Sequence, residues 1–408
     1  MVHRRMPRPS ELRELLRPAP FTLDATERRL NRAASIGDLR TLARRRAPRA
    51  VFDYTDGAAG VGELALRRAR ETFARLEFHP TVLTDVSGVN TETTILGKPS
   101  AQPFALAPTG FTRMMHTEGE RAVVKVAQRE RIPYALSTMG TTTIEDFAAA
   151  GPDARKWFQL YLWRDRAPAK DLVERAAAAG FDTLMLTLDT KVAGARLRDV
   201  RNGLAIPPQL TLRTFLDGAT HPRWWFDFIT TEPLTFANLA GASDGTPGVL
   251  IDRVFDPAIT LADLEWLRGH WPHKLVAKGV QSVADAKAVV AAGADAVLLS
   301  NHGGRQLDRA PVPLELVPAV REELDGQAEV LVDTGITTGA DVVAAMALGA
   351  HGTLVGRAYL YGLMAGGERG VARAVRILAD EVARTMALLG VTEIGQLRPD
   401  HVSLRPGR

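Results

Sequence analysis

The strongest constraint on this chain is a repeat: from residue 103 onward, short apolar runs alternate with stretches of helical length. The runs are "PFALAPTG" (103–110), "YALSTMG" (134–140), "KWFQLYLW" (156–163), "TLMLTLD" (183–189), "KLVAKG" (274–279), "AVLLSNH" (296–302), "EVLVDTG" (329–335) and "GTLVGRA" (352–358). Between them lie helical segments such as "EGERAVVKVAQRE", "DLVERAAAAG", "VADAKAVVAAG" and "GADVVAAMALG"; three of these end at the glycine that commonly stops a helix. Strands alternating with helices imply a parallel sheet covered by helices. Eight such units in about 250 residues predict a closed (β/α)8 TIM barrel of the α/β class. An open doubly wound sheet is the competitor, but no G-x-G-x-x-G follows the first strand to support a dinucleotide fold.

Two regions fall outside the repeat. Residues 1–102 read as an N-terminal helical extension packed on the barrel of residues 103–408, the whole forming one structural domain. Residues 190–255 are far too long for a simple strand-to-helix loop. Their "HPRWWFDFITTEPLTF" is too aromatic for plain disorder, so the segment is expected to be a lid or a docking surface.

Composition narrows the chemistry. The chain has 46% hydrophobic and 24% charged residues, an ordinary globular balance. No run approaches the roughly 18 apolar residues of a spanning helix. Cysteine is absent, which removes disulfides, thiolate metal sites, iron–sulfur clusters and cysteine nucleophiles together. No metal is expected. The formal charge is only +4 and the arginines are dispersed apart from clusters such as "ARRRAPR", so no nucleic-acid partner is expected. The basic N-terminus lacks the apolar core of a signal peptide and reads as a solvated tail or short helix. A cytoplasmic location fits.

The C-terminal ends of barrel strands are where active sites form. Here those positions hold Thr109 and Gly110; Ser137 and Thr138; Gln159 and Tyr161; Thr187 and Asp189; Lys278; Asn301, His302 and Arg305; Asp333 and Gly335; Gly356 and Arg357. Each has a bland reading alone: Thr187 or Asp189 could cap the next helix, and Gln159 or Tyr161 could be a core residue with a satisfied polar tip. Together they make the mouth of the barrel polar. The glycines of "DTGITTG" and "VGRAYLYG" follow strands 7 and 8, where barrels commonly build a phosphate site, with Arg357 available to pair with the anion.

These residues carry a resemblance. The stretch "SNHGGRQLD" is the signature, supported in order and spacing by "FDYTDGA", "APTGF", "HTEGE", "FQLY", "LTLDT", "VAKGV", "DTGI" and "VGRA". From about Asp38 to about His401 the chain resembles the FMN-dependent α-hydroxy-acid dehydrogenases and oxidases, including glycolate oxidase, lactate oxidase, lactate monooxygenase and the respiratory L-lactate dehydrogenases. Within that family it looks most like the actinobacterial respiratory L-lactate dehydrogenases. The resemblance implies FMN in the barrel mouth, its phosphate at Gly335, Gly356 and Arg357. The flavin ring would meet Pro108, Thr109, Gly110, Thr138, Gln159, Thr187 and Lys278. His302 matches the catalytic base and Asp333 its acidic partner. Arg196 and Arg305 match the substrate-carboxylate clamp, and Tyr54 and Tyr161 the two substrate tyrosines. A homotetramer is also implied.

Chemistry supports these roles independently. Oxidising a 2-hydroxy acid needs a base opposite an electron sink, and histidine suits the base near neutral pH. Planar bidentate arginine suits the carboxylate. The sequence also departs from the family: Gly110 stands where many members have alanine, and Thr337 where an arginine is expected near the phosphate. Arg357 and backbone amides are therefore expected to carry more of that contact. The acceptor is open. Oxygen, a quinone and a cytochrome all take electrons from reduced flavin, though no C-x-x-C-H is present for a fused haem domain. The resemblance favours a quinone at the membrane, with oxidase or monooxygenase chemistry as the alternative. "RWWFDFI" could then touch lipid as a peripheral contact, or pack as a lid on its own barrel or a neighbouring subunit.

Overall fold

All eight apolar runs form strands, and the polar residues that follow them sit at or just beyond the strand ends. A computed structural model describes residues 5–15, 22–204, 218–239 and 255–405. The strands are Phe104–Leu106, Tyr134–Ser137, Lys156–Leu160, Thr183–Thr187, Lys274–Val280, Ala296–Leu299, Glu329–Val332 and Gly352–Val355. They close into one barrel in sequence order, every neighbouring pair parallel. The expected crossover helices include Gly119–Arg129, Ala167–Ala178, Val283–Ala291 and Gly339–Ala347. The last of these opens on a capping box between Thr338 and Asp341.

The extension is more than helical. Besides the helices Ile36–Arg46, Arg49–Asp56 and Leu64–Ala74, it contributes the hairpin Thr93–Ile95 with Lys98–Ser100 and the strand Leu76–Phe78. The hairpin plugs the base of the barrel. Ile95 and Leu96 join Ala105, Trp157, Met185, Val276, Leu298, Leu331 and Leu354 in a fully buried apolar cluster, and Glu329 accepts the Leu96 N–H at 2.8 Å. The strand Leu76–Phe78 pairs antiparallel with Val402–Leu404.

Of the insertion, residues 205–217 and 240–254 lie outside the described residues. The aromatic motif forms the helix Pro222–Thr230, in which no residue is fully buried. Trp224 docks it to the barrel by donating its indole N–H to the Met114 carbonyl at 3.0 Å, and stacks with Trp225 and Phe228. Phe226 and Ile229 of the same helix remain exposed.

Candidate active site

The barrel mouth opens into a cavity of about 220 Å³ lined by nearly every strand-end residue singled out from sequence. Tyr54, Pro108, Thr109, Gly110, Gln159, Tyr161, Thr187, Arg196, Lys278, His302, Arg305, Asp333, Gly335, Gly356 and Arg357 all face it.

His302 sits in a short turn, His302–Gly304, entered directly from the sixth strand. Its φ of +60° is left-handed, an uncommon state for a side chain with a Cβ and one that functional loops tend to hold under constraint. Ser300 Oγ accepts the His302 N–H at 3.0 Å, Thr334 Oγ1 accepts the Gly303 N–H at 3.0 Å, and Asn301 Oδ1 accepts the Gly304 N–H at 2.9 Å. Gly303 and Gly304 are both left-handed, and a Cβ on them would strike the Arg357 guanidinium and the Leu66 backbone respectively. The glycine pair therefore serves close approach as well as turning.

The acidic partner of His302 is Asp189, not Asp333. His302 Nδ1 lies 3.0 Å from Asp189 Oδ1, whereas Asp333 accepts the Thr334 hydroxyl at 2.8 Å and stands 3.9 Å from Lys278 Nζ. His302 leaves the sixth strand in a left-handed turn and reaches over the end of the intervening fifth strand to Asp189 after the fourth, on the side away from the adjacent seventh. Burial pushes the imidazole below its ordinary value near 6.5; Asp189 opposes that shift, while Lys278 and Arg305 add to it. Burial alone would raise the Asp189 carboxyl, but His302 and Lys278 more than offset it. The result is a neutral imidazole whose Nδ1 is held by a carboxylate, leaving Nε2 to accept a proton.

Arg305 and Arg196 flank one aromatic ring, their guanidinium carbons 4.9 and 5.4 Å from the Tyr54 centroid. Arg305 is brought down to about 10 by burial and by the charge of Arg196, so it remains a cation at neutral pH. Tyr161 closes this side of the cavity, packed edge-on against Phe255, and burial raises its phenol well above the ordinary range. Beneath Tyr54, the buried Asp56 accepts hydrogen bonds from Arg40, Arg198 and Tyr361, which ties the Tyr54 helix to the insertion and to the last long helix.

The opposite wall suits a flavin. Ser137 donates to Gln159 Oε1 and Gln159 Nε2 donates to Thr187 Oγ1, each at 2.8 Å, forming a polar chain across three strand ends. Among the described residues, buried Lys278 makes one hydrogen bond, to Ser300 Oγ at 3.3 Å, and so has donors to spare for an acceptor in the cavity. At the far end, Gly335, Gly356 and the first turn of the helix Arg357–Leu389, which has no side-chain cap, offer backbone N–H groups to an anion. These residues fit FMN.

Two expectations at this wall need correction. Thr138 does not line the cavity: its hydroxyl donates to the Gln159 carbonyl at 2.6 Å, and Ser137 and Met139 face the cavity instead. Arg357 does line it, but its Nε donates to the Thr55 carbonyl at 3.0 Å and its Nη2 to Gly57 and Gly303 at 2.7 and 2.8 Å. Most of that guanidinium clamps the extension to the His302 turn, so it has little capacity left for a phosphate. Gly110 also has a local cause: a Cβ there would come within 3.0 Å of Met139 Cβ.

A closed barrel whose mouth brings a carboxylate-held histidine, an arginine pair and a polar wall that fits a flavin into one cavity suits an oxidoreductase of 2-hydroxy acids. The comparisons with known proteins agree. The model of the FMN-dependent dehydrogenase family matches residues 43–404, and the chain belongs to that family. It is 58% identical over 402 residues to a Mycobacterium tuberculosis protein named "Putative L-lactate dehydrogenase", covering 98% of this chain and 97% of that one. It is 38% identical over 371 residues to (S)-mandelate dehydrogenase of Pseudomonas putida, covering 90% and 93%. A crystal structure of (S)-mandelate dehydrogenase, titled a monotopic membrane protein, superposes with a TM-score of 0.88 at 38% identity, covering 92% of this chain and 100% of the other. The protein is an FMN-dependent α-hydroxy-acid dehydrogenase. Among the described residues, no helix is long and apolar enough to cross a membrane.

Proposed function

We propose that this enzyme oxidises L-lactate to pyruvate and passes the electrons to a respiratory quinone at a membrane surface. The observation that carries the reading is the pair Arg196 and Arg305 flanking Tyr54 in the same cavity as His302, whose Nδ1 is held by Asp189. Two adjacent cations in a buried site call for a small anion, and a carboxylate held there presents its α-carbon to the base. His302 Nε2 takes the hydroxyl proton, and Asp189 stabilises the imidazolium that results. Tyr161, kept protonated by burial, donates a hydrogen bond to the substrate. When bound, FMN supplies the acceptor for the two electrons that leave the α-carbon as hydride. Lys278 is placed to stabilise negative charge that develops on the cofactor.

The choice of lactate is supported by the 58% identical relative, named a lactate dehydrogenase. The choice of a membrane acceptor is supported by the membrane-protein title of the mandelate dehydrogenase structure and by exposed Phe226 and Ile229 on the aromatic helix. Anaerobic bleaching of the flavin by a panel of 2-hydroxy acids, followed by reoxidation with a quinone analogue or air, tests the assignment. L-lactate should bleach fastest and the quinone should reoxidise faster than air; stoichiometric hydrogen peroxide from air would make the enzyme an oxidase instead. Sedimentation with anionic liposomes tests the surface contact, which Phe226→Ser with Ile229→Ser should weaken while leaving bleaching unchanged.

A further inference from the structure

The phosphate end of the cavity contains a cation that sequence patterns did not single out. Thr337 occupies the position where an arginine was expected, and most of the Arg357 guanidinium is engaged by three carbonyls. Arg70 lines the same cavity together with Gly335, Thr337, Gly356 and Arg357. It belongs to the helix Leu64–Ala74 of the extension, outside the barrel repeat. The loop after the seventh strand packs directly on this helix: a Cβ at Gly335 would lie 3.0 Å from Phe73 and 3.1 Å from Ala69, the residue preceding Arg70. Unlike Arg357, Arg70 has no hydrogen-bond or ion-pair partner among the described residues, although its charge is felt by Arg357 and Tyr361.

We propose that Arg70 is the phosphate-anchoring cation of the FMN site, supplied by the extension in place of the arginine absent at Thr337. A guanidinium with open donors beside glycine N–H groups matches the geometry of a terminal phosphate, and the pair would be a charge-assisted contact. FMN binding and docking of the extension are then coupled, because one helix carries both Arg70 and the residues packed on the phosphate loop. The inference rests on FMN as cofactor and does not depend on the acid oxidised.

The test is titration of the deflavinated full-length protein with FMN and with riboflavin, which lacks the phosphate. Arg70→Met should raise the FMN dissociation constant about tenfold and leave that for riboflavin unchanged. Arg70→Lys should retain most of the FMN affinity, and Thr337→Arg added to Arg70→Met should restore it. The FMN loss should also shrink as salt is raised, because the cation is at the surface end of the cavity. An unchanged FMN affinity in Arg70→Met, or an equal loss for FMN and riboflavin, would overturn the proposal. Failure of the parent protein to bleach with lactate would count against the proposed substrate and leave this result intact.

Discussion

The same eight strands build two opposite environments. At the base of the barrel they start from a buried apolar cluster around Trp157, plugged by Ile95 and Leu96; at the mouth they end in a polar cavity lined by His302, Lys278 and Arg305, with Asp189 behind His302. The base is stabilised by burial and shape, and its residues are interchangeable with others of like volume. The mouth keeps buried charges, a left-handed histidine and like-charged neighbours, all of which cost stability. Folding and chemistry are thus separated along one set of strands, and substitutions at the two ends should fail in different ways.

The largest effect is expected at the mouth. His302→Asn should lower kcat by about 10³–10⁴-fold, the scale of a lost general base, while the protein still binds FMN and melts near the parent temperature. Stopped-flow bleaching and flavin content check this, and rapid bleaching by the variant would remove His302 from its role. At the base, Trp157→Ala should cost about 3–5 kcal/mol of unfolding free energy through a buried cavity, with kcat of the folded enzyme little changed. Denaturant unfolding beside a kinetic assay separates the two quantities; a matching loss of kcat would erase the proposed division.

Asp189→Asn sharpens the mouth itself. It should reduce kcat by about 10–100-fold by removing support for the imidazolium. It should also displace the acid limb of kcat/KM. In the parent that limb lies below the ordinary histidine value because burial favours neutral His302, and Asp189 acts against that shift. Removing the carboxylate lets the pKa fall further, so the limb should move to lower pH; a limb that moves upward would contradict the pairing. Asp333→Asn should leave the limb nearer the parent position. The smallest effect is Gly110→Ala, where crowding against Met139 should cost about 1 kcal/mol and slow bleaching modestly, as read by thermal unfolding and KM.

The barrel and most of the cavity wall were legible because period and position coincide: an apolar run that must be buried is followed by a polar residue that has nowhere to face except the mouth. Asp189 and Asp333 show where that reasoning stops. Each follows an apolar run and precedes a threonine, as "LTLDT" and "LVDTG", so their local patterns do not tell them apart. Adjacency of strands six and seven favours Asp333, and only the left-handed turn at His302 sends the imidazole to the fourth strand. Thr138 was misplaced for a related reason, since a one-residue shift at a strand end exchanges the cavity for the interior of the wall. Arg70 lay in a helix outside the repeat, with no pattern linking it to a loop more than 260 residues away.

That sequence separation has a consequence for synthesis. The strand Leu76–Phe78, which follows the helix of Arg70, is completed only by Val402–Leu404, and Arg405 pairs with Glu77 alongside it. The barrel strands all precede residue 356, so they can assemble on the ribosome before this last seam exists. The extension carrying Tyr54 gains this strand pair only once Val402–Leu404 is available, so its docking is completed after the barrel strands have been made.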